Sequence, residues 1–231
     1  MFQSKALNSL VDLLFPRTCI SCSGHLDFYE KMLCLNCQLE LPQTGFHLEK
    51  ENPLYKKLLL NFPLENAAAL FRFQKEGCVA RMIHQFKYNK QANIGRYFGK
   101  WLGYTLLESP FFKSLDAIIP VPLHPSKQRT RGFNQAEIIA EPLAKQLQIP
   151  LVNKSLKRVK KTKPLAKINH DVRWKEVDEA FAIKQPLPKS FEHLLLVDDV
   201  ITTGATLNAC ARTLLKNSQV KLSIVSLACR L

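Results

Sequence analysis

Apolar positions along this chain fall into two patterns that alternate. Residues 67–73, 115–122, 194–197 and 220–229 form short, dense apolar runs of strand length. The run 194–197 has the pattern of a strand buried on both faces. Between these runs the spacing turns helical. Val79, Met82, Ile83 and Phe86 recur at i, i+3, i+4 and i+7, and Ile94, Tyr97, Phe98, Trp101 and Leu102 repeat that period. Leu207, Cys210, Ala211 and Leu214 give a third helix one apolar face. Another helix is signalled by its start: Asn134 is a good N-cap, Glu137 follows three residues on, and Phe133 can staple to Ile138. Pro142 should kink that helix or end its first segment, and Leu151 and Val152 begin a short strand. Strands alternating with helices over short connections predict an α/β fold with a mostly parallel sheet flanked by helices. Residues 38–65 carry no clear period. Pro42, Gly45, Pro53 and Pro63 break them into loops that link the N-terminal part to the body and partly cover the site.

The strand at 194–197 is followed by Asp198 and Asp199, and then by Thr202, Thr203, Gly204, Ala205 and Thr206, small and hydroxyl-rich, at a helix start. A helix N-terminus offers free N–H groups and the positive end of the dipole, which suits a phosphate. The two carboxylates cannot bind that phosphate. They can accept hydrogen bonds from sugar hydroxyls or hold Mg²⁺ through water. The bland alternative is a βα turn whose acids are simply solvated. The order of parts resembles the ribose-5-phosphate loop of type I phosphoribosyltransferases. In that family the acidic pair holds the ribose of phosphoribosyl pyrophosphate and the small loop holds its 5-phosphate. No P-loop and no dinucleotide-type glycine fingerprint is present.

A second loop follows the strand at 115–122. Residues 123–132 carry Lys127, Arg129 and Arg131 without an acid. On its own this is a basic surface loop. Beside the first loop it takes the place where a phosphoribosyltransferase contacts pyrophosphate, through Pro122, Leu123 and Arg131. Both loops lie at the carboxyl ends of strands, where open α/β sheets bind ligands.

Cysteines change the picture at the N-terminus. Cys19-x-x-Cys22 and Cys34-x-x-Cys37 have the spacing of a four-thiolate zinc site, which holds together a module too small for its own core. Disulfides or a redox pair compete with this reading, and His25 is a further candidate ligand. Four thiolates close the coordination sphere, so the zinc is structural. Cys78, Cys210 and Cys229 have no paired spacing.

The 231-residue chain carries a formal net charge of +14 and 46% hydrophobic residues. The charge favours polyanionic partners such as nucleic acid, nucleotides or pyrophosphate. The cations concentrate in residues 154–175, with Asp171 alone against them. Such a run reads as a loop that repels itself until an anion arrives. Met1 to Phe15 lacks the parts of a signal peptide and reads as an amphipathic helix on the body. No apolar run spans a membrane, so the expected location is cytoplasmic.

Taken together, the chain resembles the ComF family of phosphoribosyltransferase-like competence proteins over nearly its whole length. The resemblance rests on the cysteines at 19–37, Ile83 to Tyr88, Ile119 to His124, Arg131 to Gln135, Arg173-Trp174 ahead of Ala180-Phe181, and Asp198 to Thr206. Leu165 stands where relatives usually carry Gln, and Glu176 where Asn is common. The resemblance implies residues 1–45 as an N-terminal helix and zinc module, 46–65 as linker or hood, and 66–231 as the phosphoribosyltransferase-like domain. It also implies a role in natural transformation. Magnesium would bind with phosphoribosyl pyrophosphate, or a related ribose phosphate. Single-stranded DNA would be held by basic side chains, with Tyr88, Phe133 or Trp174 as stacking candidates. DNA-uptake or recombination proteins would be partners. Two other functions fit the same fold. One is an active phosphoribosyltransferase of nucleobase or amine salvage, which needs a base-reading hood drawn from residues 1–65. The other is a ligand-sensing regulator, which the lack of an evident helix-turn-helix disfavours.

Overall fold

The computed structural model describes residues 16–159 and 180–231. The expected helix at Met1 to Phe15, most of the basic run 154–175 and the departures at Leu165 and Glu176 lie outside the described residues.

Four strands form the central sheet: β1 (Asn66–Arg72), β2 (Ala117–Pro120), β5 (His193–Ile201) and β6 (Lys221–Cys229). Their order is β1-β6-β5-β2, and every pairing is parallel. The central strands are buried almost throughout, because helices cover the sheet and leave no face for water. At the outer edge of β2, Leu151 makes only an isolated parallel bridge to Ile118, less than the strand its sequence predicts. At the other edge Gln43 bridges Phe71 antiparallel. A separate antiparallel pair joins β3 (Leu156–Arg158) to β4 (Phe181–Ile183).

The helices predicted from periodicity are present as α3 (Cys78–Tyr88), α4 (Ala92–Glu108), α6 (Gln135–Leu147) and α7 (Ala205–Asn217). Asn134 caps α6 by accepting from Ala136 N–H at 3.2 Å, and its Nδ2 donates to Val121 O at 3.1 Å. Pro142 does not end α6. It sits inside the helix, where α4 approaches so closely that a Cβ on Gly99 would lie 2.4 Å from Ile139 O and 2.8 Å from Pro142 Cγ. Close packing there offsets the hydrogen bond that proline cannot donate.

Residues 38–65 are more ordered than their sequence pattern indicates. They hold the end of α1 (Leu35–Leu39), a 3₁₀ turn at Phe46–Leu48, and α2 (Pro53–Leu59). Asn52 caps α2 by accepting from Tyr55 N–H at 3.0 Å, with Pro53 at the first helical position. A seven-residue helix gives too short a window for periodicity to show. Leu54 and Leu58 are fully buried and join Phe62 and Leu64 in the same core as the sheet. The N-terminal module joins that core too, through Cys19, Leu26, Leu33 and Cys37.

Candidate ribose-phosphate site and metal centre

β5 runs further than its apolar residues. It continues through both carboxylates to Ile201, with Asp198 opposite Ser226 and Val200 opposite Ala228 on β6. The acidic pair therefore lies within the strand and not in the loop beyond it. Successive strand residues face opposite sides, so the two acids have different surroundings. Asp199 is buried and accepts from Lys87 Nζ of α3 at 3.0 Å. Asp198 is felt by Arg158 of β3 and by the buried Cys210 thiol of α7. Asp198 keeps some open surface, yet the packing around its carboxyl is dense. Burial, and then the Asp199 charge, push it up to about 7. The Asp199 N–H that it accepts at 2.8 Å, with Lys87 and Arg158, pulls the other way. Two carboxylates adjacent in the chain cannot both ionise freely in such a place.

Thr202 and Thr203 are exposed, while Ala205 and Thr206 are half-buried at the start of α7. Gly204 caps α7 with φ of +78°, a left-handed conformation that glycine adopts without steric cost. A Cβ there would also lie 2.8 Å from Leu58 Cδ2 of α2. The loop is held from the same helix: Lys57 Nζ donates to Thr202 O at 2.7 Å and to Arg230 O at 2.6 Å.

The second loop sits beside the first. Val121 N–H donates to Val197 O at 2.8 Å, which carries the β2–β5 pairing to the edge of the site. Pro122 and Leu123 are half-buried there. The residues read as a basic loop are mostly helical. They form α5 (Pro125–Arg131), with Pro125 at its first position and His124 as N-cap, accepting from Ser126 N–H at 3.2 Å. Arg131 donates to Gln135 Oε1 at 3.0 Å and lies over the Tyr88 ring at 5.6 Å. Tyr88 is exposed and Phe133 packs near Phe86. Trp174 lies outside the described residues.

Two side chains that touch the candidate site escaped the sequence reading. Lys87 lay within the Ile83 to Tyr88 stretch with no role assigned to it, and Lys57 fell in a segment read as loop. Nothing local links either one to the residue it reaches. Each matters only for the distant residue it reaches.

The four cysteines come together. The Sγ atoms of Cys19, Cys22, Cys34 and Cys37 all lie within 4.8 Å of one another, and His25 is not among them. Zn–S bonds of about 2.3 Å arranged tetrahedrally place sulfurs about 3.8 Å apart, and Cys22 and Cys34 Sγ are 3.8 Å apart. Backbone N–H groups of Ser21 and Gly24 donate to Cys19 and Cys22 sulfur, each at 3.4 Å. Burial raises the Cys19 thiol, but N–H groups of Cys22, Cys34 and Ser21 outweigh it and bring it down to about 7. Burial and the neighbouring sulfurs push Cys37 up to about 12. A cation bound among the four sulfurs would remove their mutual repulsion. These residues could hold a structural metal. The module docks on α3: Arg81 Nε donates to Ser21 O at 2.8 Å and Gln85 Nε2 to Ile20 O at 2.9 Å.

Residues 133–230, which include both acids and the small loop, match the phosphoribosyl transferase domain family. Across nearly its whole length the chain is 31% identical to Competence protein F of Haemophilus influenzae, over 227 residues that cover 93% of this chain and 97% of that one. The chain belongs to the ComF family. DNA utilization protein YhgH of Escherichia coli is 28% identical over 198 residues, 84% of this chain and 83% of its own. Competence protein ComFC of Bacillus subtilis is 30% identical over 102 residues, 44% of this chain and 39% of its own. Among solved structures, adenine phosphoribosyl transferase from Trypanosoma brucei aligns with 13% identity and a TM-score of 0.39, covering 78% of this chain and 68% of that one. The fold of this chain is a parallel sheet flanked by helices, and its C-terminal half carries the phosphoribosyl transferase domain match. Among the described residues no helix is long and apolar enough to cross a membrane.

Proposed function

We propose that this ComF-family protein acts in DNA uptake, binding magnesium phosphoribosyl pyrophosphate where β5 meets α7, and binding single-stranded DNA. One observation carries the reading: the acidic pair, the small loop and the residues after β2 meet at the carboxyl ends of two hydrogen-bonded parallel strands. In this reading Asp198 and Asp199 accept hydrogen bonds from the ribose hydroxyls. Thr202, Thr203, Gly204, Ala205 and Thr206 hold the 5-phosphate through backbone N–H groups and hydroxyls. Pro122, Leu123 and Arg131 meet the pyrophosphate. Magnesium, bound with the ligand, would neutralise part of its charge beside the two acids. Zinc holds the four cysteines. The names of the relatives, competence protein and DNA utilization protein, support the biological role, and the net charge of +14 supports a polyanionic partner.

A second reading, pentosyl transfer to a nucleobase or amine, draws on Asp198. Its carboxyl is pushed up to about 7, so it can hold or release a proton near neutrality. Acceptor nitrogen would bond to the anomeric carbon, the carbon–oxygen bond to pyrophosphate would break, and the acceptor's proton would pass to Asp198.

Calorimetry tests the binding site. Asp198→Asn/Asp199→Asn should weaken binding of magnesium phosphoribosyl pyrophosphate at least tenfold while the fold persists. Equal binding by the double variant would overturn the assignment. A panel of nucleobases with detection of released pyrophosphate separates transfer from binding.

A further inference from the structure

A cavity of about 370 Å³ opens at the carboxyl ends of β1 and β6, outside the residues assigned above. Arg72, Phe73 and Lys75 line one side, and Cys229 and Arg230 the other. Gln74 and Leu231 complete the lining, and no lining side chain is acidic. Arg72, Lys75 and Arg230 are exposed, and Phe73 is half-buried. Lys57 stands close by. Burial raises the Cys229 thiol, and Arg72 and Lys57 oppose that rise, so both cations lie near its sulfur.

This cavity adjoins the small loop. Arg230 N–H donates to Ile201 O at 2.8 Å, and Lys57 Nζ bridges Arg230 O and Thr202 O. One ammonium group therefore ties the cavity wall to the first residue of the loop. The strand order places β6 directly between β1 and β5, so cavity and loop lie at neighbouring strand ends.

We propose that this cavity seats the sugar-phosphate backbone of a single-stranded nucleic acid, alongside the ribose-phosphate site. The inference rests on the DNA-binding part of the function proposed above. A cleft with three cationic side chains and no acidic one concentrates a polyanion. An aromatic ring among the cations gives a sugar or base an apolar surface to rest on.

The test uses the full chain, zinc-loaded, and a fluorescent oligothymidylate followed by anisotropy. Relative to wild type, Arg72→Gln/Lys75→Gln/Arg230→Gln should bind the strand at least tenfold more weakly at low salt. Its plot of log affinity against log salt should be flatter by about 2, since each phosphate contact on a single strand contributes ~0.7. Lys75→Glu/Arg230→Glu, which spares the stacking of Arg72 on Phe46 at 5.5 Å, should move both readouts in the same direction. Calorimetry with magnesium phosphoribosyl pyrophosphate should match wild type in both variants. If wild type binds the strand and both variants keep its affinity and salt slope, the cavity is not the seat. If wild type binds no strand, the inference falls together with the DNA-binding part of the proposed function.

Discussion

Lys87 Nζ lies 3.0 Å from Asp199 Oδ2, so the last turn of α3 is tied to the acidic pair at the end of β5. The same helix carries Arg81 and Gln85, which hold the backbone of Ser21 and Ile20 between the first two cysteines. One helix thus touches the four-cysteine module through Arg81 and Gln85 and the candidate ribose site through Lys87. Lys87 also pulls the Asp198 carboxyl down, against its burial and the Asp199 charge.

Replacing that ammonium leaves Asp199 buried without its partner. Lys87→Met should destabilise the protein by about 1–2 kcal/mol, between the value of an exposed pair and that of a fully buried one. In a cycle with Asp199→Asn, urea unfolding should show the two changes coupled by about 1 kcal/mol. Strict additivity would mean that the pair contributes nothing to stability.

Asp198 predicts a pH dependence of opposite sense to that of a well-paired carboxylate. Its folded value, about 7, lies above the unfolded one near 4. Between those values the unfolded chain gives up its proton while the folded chain keeps it. The native state therefore loses stability as pH rises through that window, and the loss is complete above about 7. Asp198→Asn should be more stable than wild type at pH 8 by order 1 kcal/mol, a Tm rise of about 2–4 °C. The gain should shrink toward zero as pH falls to 4, as melting curves across that range would show. A Tm difference that does not change with pH would refute the burial account.

Gly204 is constrained twice, by a φ of +78° and by Leu58 Cδ2 at 2.8 Å from where a Cβ would stand. Gly204→Ala should cost about 1–2 kcal/mol from backbone handedness alone and should weaken ligand binding by displacing the loop from α2. Gly204→Ala/Leu58→Ala would relieve the contact but not the dihedral, so calorimetry should show partial recovery of affinity. Wild-type binding by Gly204→Ala itself would mean that the loop does not hold the phosphate.

Metal analysis of the purified protein should find zinc bound, and Cys37→Ser should lose it. Because the module is held on α3 by Arg81 and Gln85, chelation should lower Tm and also weaken ribose-phosphate binding through Lys87. A chelated protein that melts and binds as before would break this connection.

Much of this architecture could be read from residue patterns. Four dense apolar runs and the helices between them gave the parallel sheet, because strand and helix periods are local properties of the chain. The cysteine spacing foretold the cluster for a similar reason: each pair sits on one tight turn. Asn134 announced the start of α6. The helix α2 stayed hidden because its two buried leucines, Leu54 and Leu58, are too few to make a period. The basic stretch after β2 looked like a loop, although Pro125 and His124 begin a helix there.

The chain's own order of residues determined which chemistry is present: two carboxylates ahead of a small, hydroxyl-rich helix start, and two Cys-x-x-Cys pairs. Tertiary structure alone decided how those groups are placed. It set Asp198 and Asp199 on opposite faces of one strand, gave Lys87 to Asp199, and braced the small loop with Lys57 and Leu58. Those partners come from remote parts of the chain, and only the parallel pairing of β5 with β6 and β2 brings them to one edge. The physical reason is range. Backbone propensity and apolar period act over a few residues, whereas burial and charge pairing depend on which segments the closed core makes neighbours.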